Sequence, residues 1–214
     1  MVIAIDGPAG AGKSSVARAV AAELGFTYLD SGAMYRCVAL AALERGPDLD
    51  LDDGEALGGL ARELEIELDG RRVLLGERDV SAAIRAPAVT AAASQVSVHP
   101  AVREAMVARQ RQLIAAGRYV AEGRDIGTVV SPDSPLKVFL TASDEERARR
   151  RAAQTGEDFE SVLDAQRRRD RRDTEREHGA LRAADDAVEL DTSSMSLEEV
   201  VGRVVAIVRD RGLA

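Results

Sequence analysis

Gly7-Pro8-Ala9-Gly10-Ala11-Gly12-Lys13-Ser14, entered from the apolar run Val2-Ile3-Ala4-Ile5-Asp6, decides how this chain is read. It matches G-x-x-x-x-G-K-[ST] in full, and it lies between a strand-like run at 2–6 and an amphipathic stretch at 13–24. Strand, loop and helix in that order are the setting in which the pattern holds phosphate. The glycines let backbone N–H groups converge on a β-phosphate without obstruction by Cβ, and the helix N-terminus adds partial positive charge at the same spot. Lys13 is expected to reach the β- and γ-phosphates, and the Ser14 hydroxyl to ligate Mg²⁺. Ser15 completes the set of ATP-binding residues expected from residue 7 onward. Of 29 Lys and Arg residues only Lys13 and Lys137 are lysine. A strong bias toward Arg has therefore spared the one position where a compact point charge, not a planar fork, must sit inside the loop.

Outward from the loop, short apolar runs alternate with amphipathic stretches. Residues 26–29, 119–122, 136–141 and 187–191 read as further strands, and 33–44 as a second helix. Two S-x-x-E capping boxes, at Ser143 and Ser196, each open a later helix. Strands separated by helices predict an α/β fold, a parallel sheet covered on both faces. One segment breaks the rhythm. Residues 64–68 alternate, Asp69-Gly70 is a turn signal, and 71–75 form a second strand, with Val80 closing a third. A small antiparallel insert is therefore expected, flanked by helical segments at 54–63 and 88–98.

With 214 residues, 45% of them hydrophobic and 31% charged, the chain can bury a full core. No stretch approaches the roughly 18 apolar residues of a membrane span, and the N-terminus lacks the basic region of a signal peptide. Cys37 is the single cysteine, which excludes an internal disulfide and a cysteine-based zinc site and favours a reducing cytoplasm. A net charge of −8 opposes nonspecific nucleic-acid binding. Between Arg147 and Arg176, however, ten arginines face seven acidic residues. That run is either a solvated helix laced with ion pairs or a phosphate-handling segment. The chain contains no asparagine, so the N-K-x-D box of guanine-nucleotide switches is missing.

Two further loops are expected beyond strand ends, where open α/β sheets bind ligands. They are Asp30-Ser31-Gly32-Ala33-Met34-Tyr35-Arg36, with Ser31 as the expected helix cap, and Ala121-Glu122-Gly123-Arg124-Asp125-Ile126-Gly127-Thr128. With the loop segment IAIDGPAGAGKS, the AASQV and VRE segments and the RRDRRDTER run, their order and spacing resemble the bacterial cytidylate (CMP/dCMP) kinases over nearly the whole chain.

The resemblance implies a P-loop nucleoside monophosphate kinase fold with a five-stranded parallel sheet, a small antiparallel β insert and a mobile lid. It implies one kinase domain over 1–214, with a core at 1–30 and 106–214, a monophosphate-binding region at 31–105, an insert at about 58–94 and a lid at about 147–160. The activity implied is Mg²⁺-dependent transfer of the ATP γ-phosphoryl group to CMP and dCMP, by a monomer with no nucleic-acid or membrane partner. Arg36, Arg124 and Arg176 match the family's clamp on the acceptor phosphate, with Ser31 beside it, and Lys13 joins them as a catalytic cation. Ser94, Arg103 and Asp125 match the contacts to cytosine, whose exocyclic amine a carboxylate and a hydroxyl can accept. Arg169 and Asp173 match the ribose-contacting pair; their i, i+4 spacing would equally give a salt bridge. Arg147, Arg149, Arg150 and Arg151 open the lid-like segment, with Arg147 and Arg151 as its expected ATP contacts. Glu122 stands at a strand end like an acid that holds magnesium-bound water, although an ion pair would serve that position as well. His99 and His178 have no partner spacing for metal or triad work. Alanines at 180 and 183 stand where the family commonly has prolines. A kinase for another small acceptor, such as UMP or shikimate, and an RNA-binding protein using the arginine run are the competing readings.

Overall fold

The computed structural model describes residues 1–70 and 72–213. The chain enters through β1 (Val2–Asp6), α1 (Lys13–Leu24) and β2 (Thr27–Asp30). The next stretch holds α2 (Ser31–Glu44), α3 (Gly54–Glu63), β3 (Ile66–Asp69), β4 (Arg72–Leu75), β5 (Arg78–Asp79), α4 (Pro87–Val96) and α5 (Pro100–Ile114). It ends with β6 (Tyr119–Gly123), β7 (Leu136–Thr141), α6 (Asp144–Thr155), α7 (Phe159–Glu175), β8 (Val188–Asp191) and α8 (Leu197–Asp210). Two compact units result: residues 1–29 with 117–214, and residues 30–116.

In the first unit the strands lie in the order β2-β6-β1-β7-β8. β1 pairs in parallel with β6 on one side and β7 on the other, so all five of its residues are buried and its sequence is apolar up to Asp6 rather than alternating. Val16, Ala17 and Val20 of α1 and Val200, Val204 and Val208 of α8 complete the core around the sheet. Because the strands are parallel, the carboxyl ends of β1, β6 and β7 share one edge of the sheet, and each runs straight into a loop of chemical interest.

In the second unit, β3, β4 and β5 form the expected antiparallel insert. Arg71, assigned to its second strand from the sequence, lies outside the described residues. Arg109 of α5 holds the insert by donating to the carbonyls of Leu64 (2.7 Å) and Ile66 (3.2 Å). α5 has no counterpart among the elements expected from the sequence. Its buried face is Val102, Arg103, Met106, Val107, Gln110 and Ile114, and two polar residues on that face blur the apolar period. Pro100 at its first turn is the signal that marks it.

Two capping expectations are corrected. The box at Ser196 closes in both directions. At Ser143 only half forms: its hydroxyl accepts from Glu146 N (3.2 Å), but its own N–H goes to Ser193 Oγ (2.9 Å) while Glu146 pairs with Arg149 and Arg150. The cap of α2 is Asp30 rather than Ser31, its Oδ1 accepting from Ala33 N at 2.8 Å. A carboxylate at the end of β2 reaches the third helical N–H and displaces the helix start to Ser31.

Candidate active site

The loop between β1 and α1 is built on glycines where the backbone demands them. Gly7 has φ 148°, and a Cβ there would stand 2.1 Å from the Leu140 carbonyl oxygen of β7. Gly10 has φ 80°, and a Cβ there would meet Gln166 Nε2 at 2.8 Å. Lys13 opens α1 and is 5% exposed, its Nζ donating to the Pro8 carbonyl at 2.7 Å. Burial, then the nearby positive Arg124, pulls its pKa down to about 7 against the support of Glu122.

At the end of β6, Glu122 is buried and its Oε1 accepts from Tyr28 OH at 2.5 Å. Arg124 follows, its Nε donating to Asp173 Oδ2 of α7 at 2.9 Å. Arg176 lies 3.8 Å from Asp173 and 3.9 Å from Asp125. Burial pushes the Asp173 carboxyl upward, but Arg124, Arg169 and Arg176 outweigh it and hold the pKa below the ordinary value. Five of the residues singled out from the sequence, Arg124, Asp125, Arg169, Asp173 and Arg176, are thus one charge network. Within it Asp173 accepts a hydrogen bond from Arg124 across the fold and also feels the charge of its i−4 neighbour Arg169.

Asp6, at the end of β1, was not among the residues expected to matter. Its carboxylate accepts from Ile126 N (2.9 Å) and Gly127 N (2.8 Å), which ties the central strand to the π-helical turn Ile126–Val130 carrying Asp125 at its N-terminus. Burial raises its pKa to about 6 against those two hydrogen bonds. A polar residue closing an apolar strand just before the loop is the sequence signal for it.

Among Arg147, Arg149, Arg150 and Arg151, Arg149 pairs with Glu146, and Arg150 with Glu146 (3.0 Å) and the Thr192 carbonyl (2.6 Å). Arg147 is buried among Asp144, Asp170 and the carbonyls of Ala9 and Ala142. The Arg151 guanidinium has no ion pair among the described residues. α6 and α7 form a helical hairpin whose turn begins at Gly156, φ 73°.

The second unit has its own cluster. Arg36 lies 3.8 Å and Arg85 3.9 Å from the Asp30 carboxylate that caps α2. Ser31, Ser94 and Arg103 are all buried. The Arg103 guanidinium donates to the Ser97 carbonyl (3.4 Å) and lies 5.8 Å from the centre of the Tyr35 ring, while Ser97 Oγ donates to the Ser94 carbonyl (3.2 Å). Tyr35 thus packs beneath an arginine, and Met34 is wholly buried. His99 hydrogen-bonds the Leu51 carbonyl at 2.8 Å.

Ser14, half-buried at the head of α1, and Glu122 offer hard oxygen donors beside Lys13. No group of three His, Cys, Asp or Glu that could hold a metal exists among the described residues. Two oxygen donors without a protein cage fit Mg²⁺, which keeps several waters and is bound largely through phosphates.

A buried lysine with Arg124 close by, inside a G-x-x-x-x-G-K-S loop, suits phosphate chemistry. With that loop leaving the central strand of a five-stranded parallel sheet, the chain is a P-loop kinase, a phosphotransferase. The solved structures it resembles agree in fold: a gluconokinase from Sinorhizobium meliloti (TM-score 0.50, 18% identity, 98% of this chain and 91% of that one) and a sugar kinase from Janibacter sp. (TM-score 0.51, 16% identity, 100% and 97%). The family model described as cytidylate kinase matches residues 3–210. Relatives named cytidylate kinase include those of Rhodococcus opacus, 49% identical over 99% of this chain and 96% of its own length, and Geobacillus kaustophilus, 50% identical over 98% and 96%. The chain belongs to the cytidylate kinase family. No helix among the described residues is long and apolar enough to cross a membrane.

Proposed function

We propose that the protein transfers the γ-phosphoryl group of ATP to CMP and dCMP, giving CDP and dCDP, by direct in-line transfer in the presence of Mg²⁺. The observation that carries this reading is the loop itself: Lys13 is buried within it, its Nζ donating to the Pro8 carbonyl, where a phosphate group would meet its charge. The nucleotide names of the relatives point to the acceptor.

ATP is held by Gly7 through Ser15, where loop N–H groups and the start of α1 meet the phosphates. Arg151, the lid arginine with no ion pair, is the proposed lid contact to the triphosphate, and Arg147 belongs to the ATP site through the loop it touches. Ser14 and, through water, Glu122 would hold Mg²⁺, whose charge offsets that of the phosphate oxygens. Arg36, Arg124 and Arg176 are the proposed clamp on the acceptor phosphate, with Ser31. Ser94, Arg103 and Asp125 are proposed to read cytosine, and Arg169 and Asp173 the ribose. An acceptor phosphate is already ionised at neutral pH, so no general base is needed. Positioning and charge neutralisation supply the rate. We propose a cytoplasmic location on the strength of the lone thiol: Cys37 is the single cysteine and is free, as suits a reducing compartment.

ADP production with ATP and Mg²⁺ should be followed with CMP, dCMP, UMP, AMP, GMP and dTMP in turn. Turnover concentrated on CMP and dCMP supports the reading. Strong turnover with UMP alone would move the acceptor assignment, and none with any of the six would remove it.

A further inference from the structure

Ala9, at the middle of the phosphate loop, is gripped on both sides. Its carbonyl accepts from Arg147 Nη1 at 2.7 Å and its N–H donates to Asp170 Oδ1 at 3.3 Å. The two side chains close the ring on each other, Arg147 Nη1 meeting Asp170 Oδ2 at 2.5 Å. Two consecutive peptide units of the loop are therefore pinned by one ion pair, one partner on α6 and the other on α7. Arg147 is itself fixed, donating also to Asp144 Oδ1 (2.5 Å) and the Ala142 carbonyl (3.1 Å). Those bonds engage four of the five N–H groups a guanidinium has. Behind it, Gln166 Nε2 donates to the Arg147 carbonyl (3.3 Å), and the same amide with the Arg147 Cβ fills the space a Cβ on Gly10 would need. Val162 and Leu163 of α7 pack on Ala148 of α6, which keeps the two helices, and so these groups, side by side.

The geometry points to Asp170 and Arg147 as a positioning pair for the phosphate loop: they hold Ala9 so that the loop stands in its anion-binding shape before nucleotide arrives. A phosphate loop binds through several N–H groups aimed at one anion, and each peptide already fixed is one less to order on binding. A neutral ion pair does this without leaving a net negative charge beside the incoming triphosphate, as Asp170 alone would. Arg147 thus acts on ATP through Ala9, unlike Arg151. The inference rests on the reading that this loop binds ATP.

Calorimetric titration of ADP and, separately, of CMP into the wild-type chain, Asp170→Asn, Arg147→Lys and the double variant tests it. Each single variant is expected to weaken ADP binding by about tenfold. CMP binding should stay within about twofold, and the double variant should be about as weak as the worse single, because the two side chains form one device. Unchanged ADP affinity in Asp170→Asn, equal losses for ADP and CMP, or single-variant losses that multiply in the double would each overturn the inference. Amide exchange in the ligand-free protein gives a readout independent of nucleotide: Asp170→Ala should speed exchange at Ala9 by about tenfold while leaving Val16 unchanged. Unaltered exchange at Ala9 would also overturn it. A wild-type chain that bound neither ADP nor ATP would end the ATP reading instead, and the exchange measurement would then decide the inference alone.

Discussion

Lys13 is held in a state that costs the ligand-free protein stability. Its pKa falls to about 7 from an ordinary 10.5 because it is buried and faces Arg124. Between those two values the unfolded chain binds the proton that the folded chain gives up, so stability rises with pH across that window and the full cost is felt below about 7. Lys13→Met removes the buried charge and keeps most of the volume. It is expected to raise Tm at pH 6.5 by about 2–8 °C, to abolish the lysine's share of the rise above pH 7, and to lower kcat by on the order of 10²-fold or more. Thermal melts across pH, set beside turnover, check both; a melting point that fell would contradict the strained-cation picture. Asp125 carries a separate expectation. If its carboxylate accepts from the cytosine amine, Asp125→Asn offers an amide in its place and should lower kcat/KM for CMP by about 10²-fold, with a much smaller change for UMP. Equal losses for both would reassign Asp125 to its other neighbour, Arg176.

The same four-residue signature, S-x-x-E, opens both α6 and α8, yet only α8 closes its box. Ser196 Oγ accepts from Glu199 N (3.2 Å) and Glu199 Oε2 accepts from Ser196 N (2.8 Å). At α6 the glutamate is drawn to two arginines on its own helix. Ser196→Ala should therefore cost about 1 kcal/mol, seen as a fall in Tm of about 2–4 °C, with kcat for CMP unchanged because α8 packs on the core and carries no proposed site residue. A loss of activity at constant Tm would mean that α8 does more than support the sheet. β1 and β7 were readable because strands buried on both faces are mostly apolar runs, broken by Asp6 at the end of one and Lys137 within the other. α5 was not, because Arg103 and Gln110 occupy its buried face and break the helical period.

Few large apolar side chains are left for a partner. Among the described residues the exposed large hydrophobics are Met1, Leu43 and Leu197, few beside the apolar patch an obligate interface buries. With a net charge of −8, copies of the chain also repel one another. Sedimentation at tens of micromolar is expected to give the mass of one chain, in low salt and high. A dimer that persisted in both would require an interface built from polar residues.

The sequence by itself determined the phosphate loop, the alternation of strands and helices, the antiparallel insert and the family. These are local: a glycine spacing, a period, a turn dipeptide or a run of motifs is complete within a few residues. It also brought Arg124, Asp125, Arg169, Asp173 and Arg176 forward, but not who pairs with whom. The i, i+4 spacing offers Asp173 to Arg169, while the fold delivers Arg124 to it from the end of β6, 49 positions away. Only the tertiary structure decided that Asp6 clamps the turn carrying Asp125 and that Arg147 and Asp170 close on Ala9. Charge partners are chosen by distance and by the cost of burying an unpaired ion, and for these residues both are set by elements far apart in the chain.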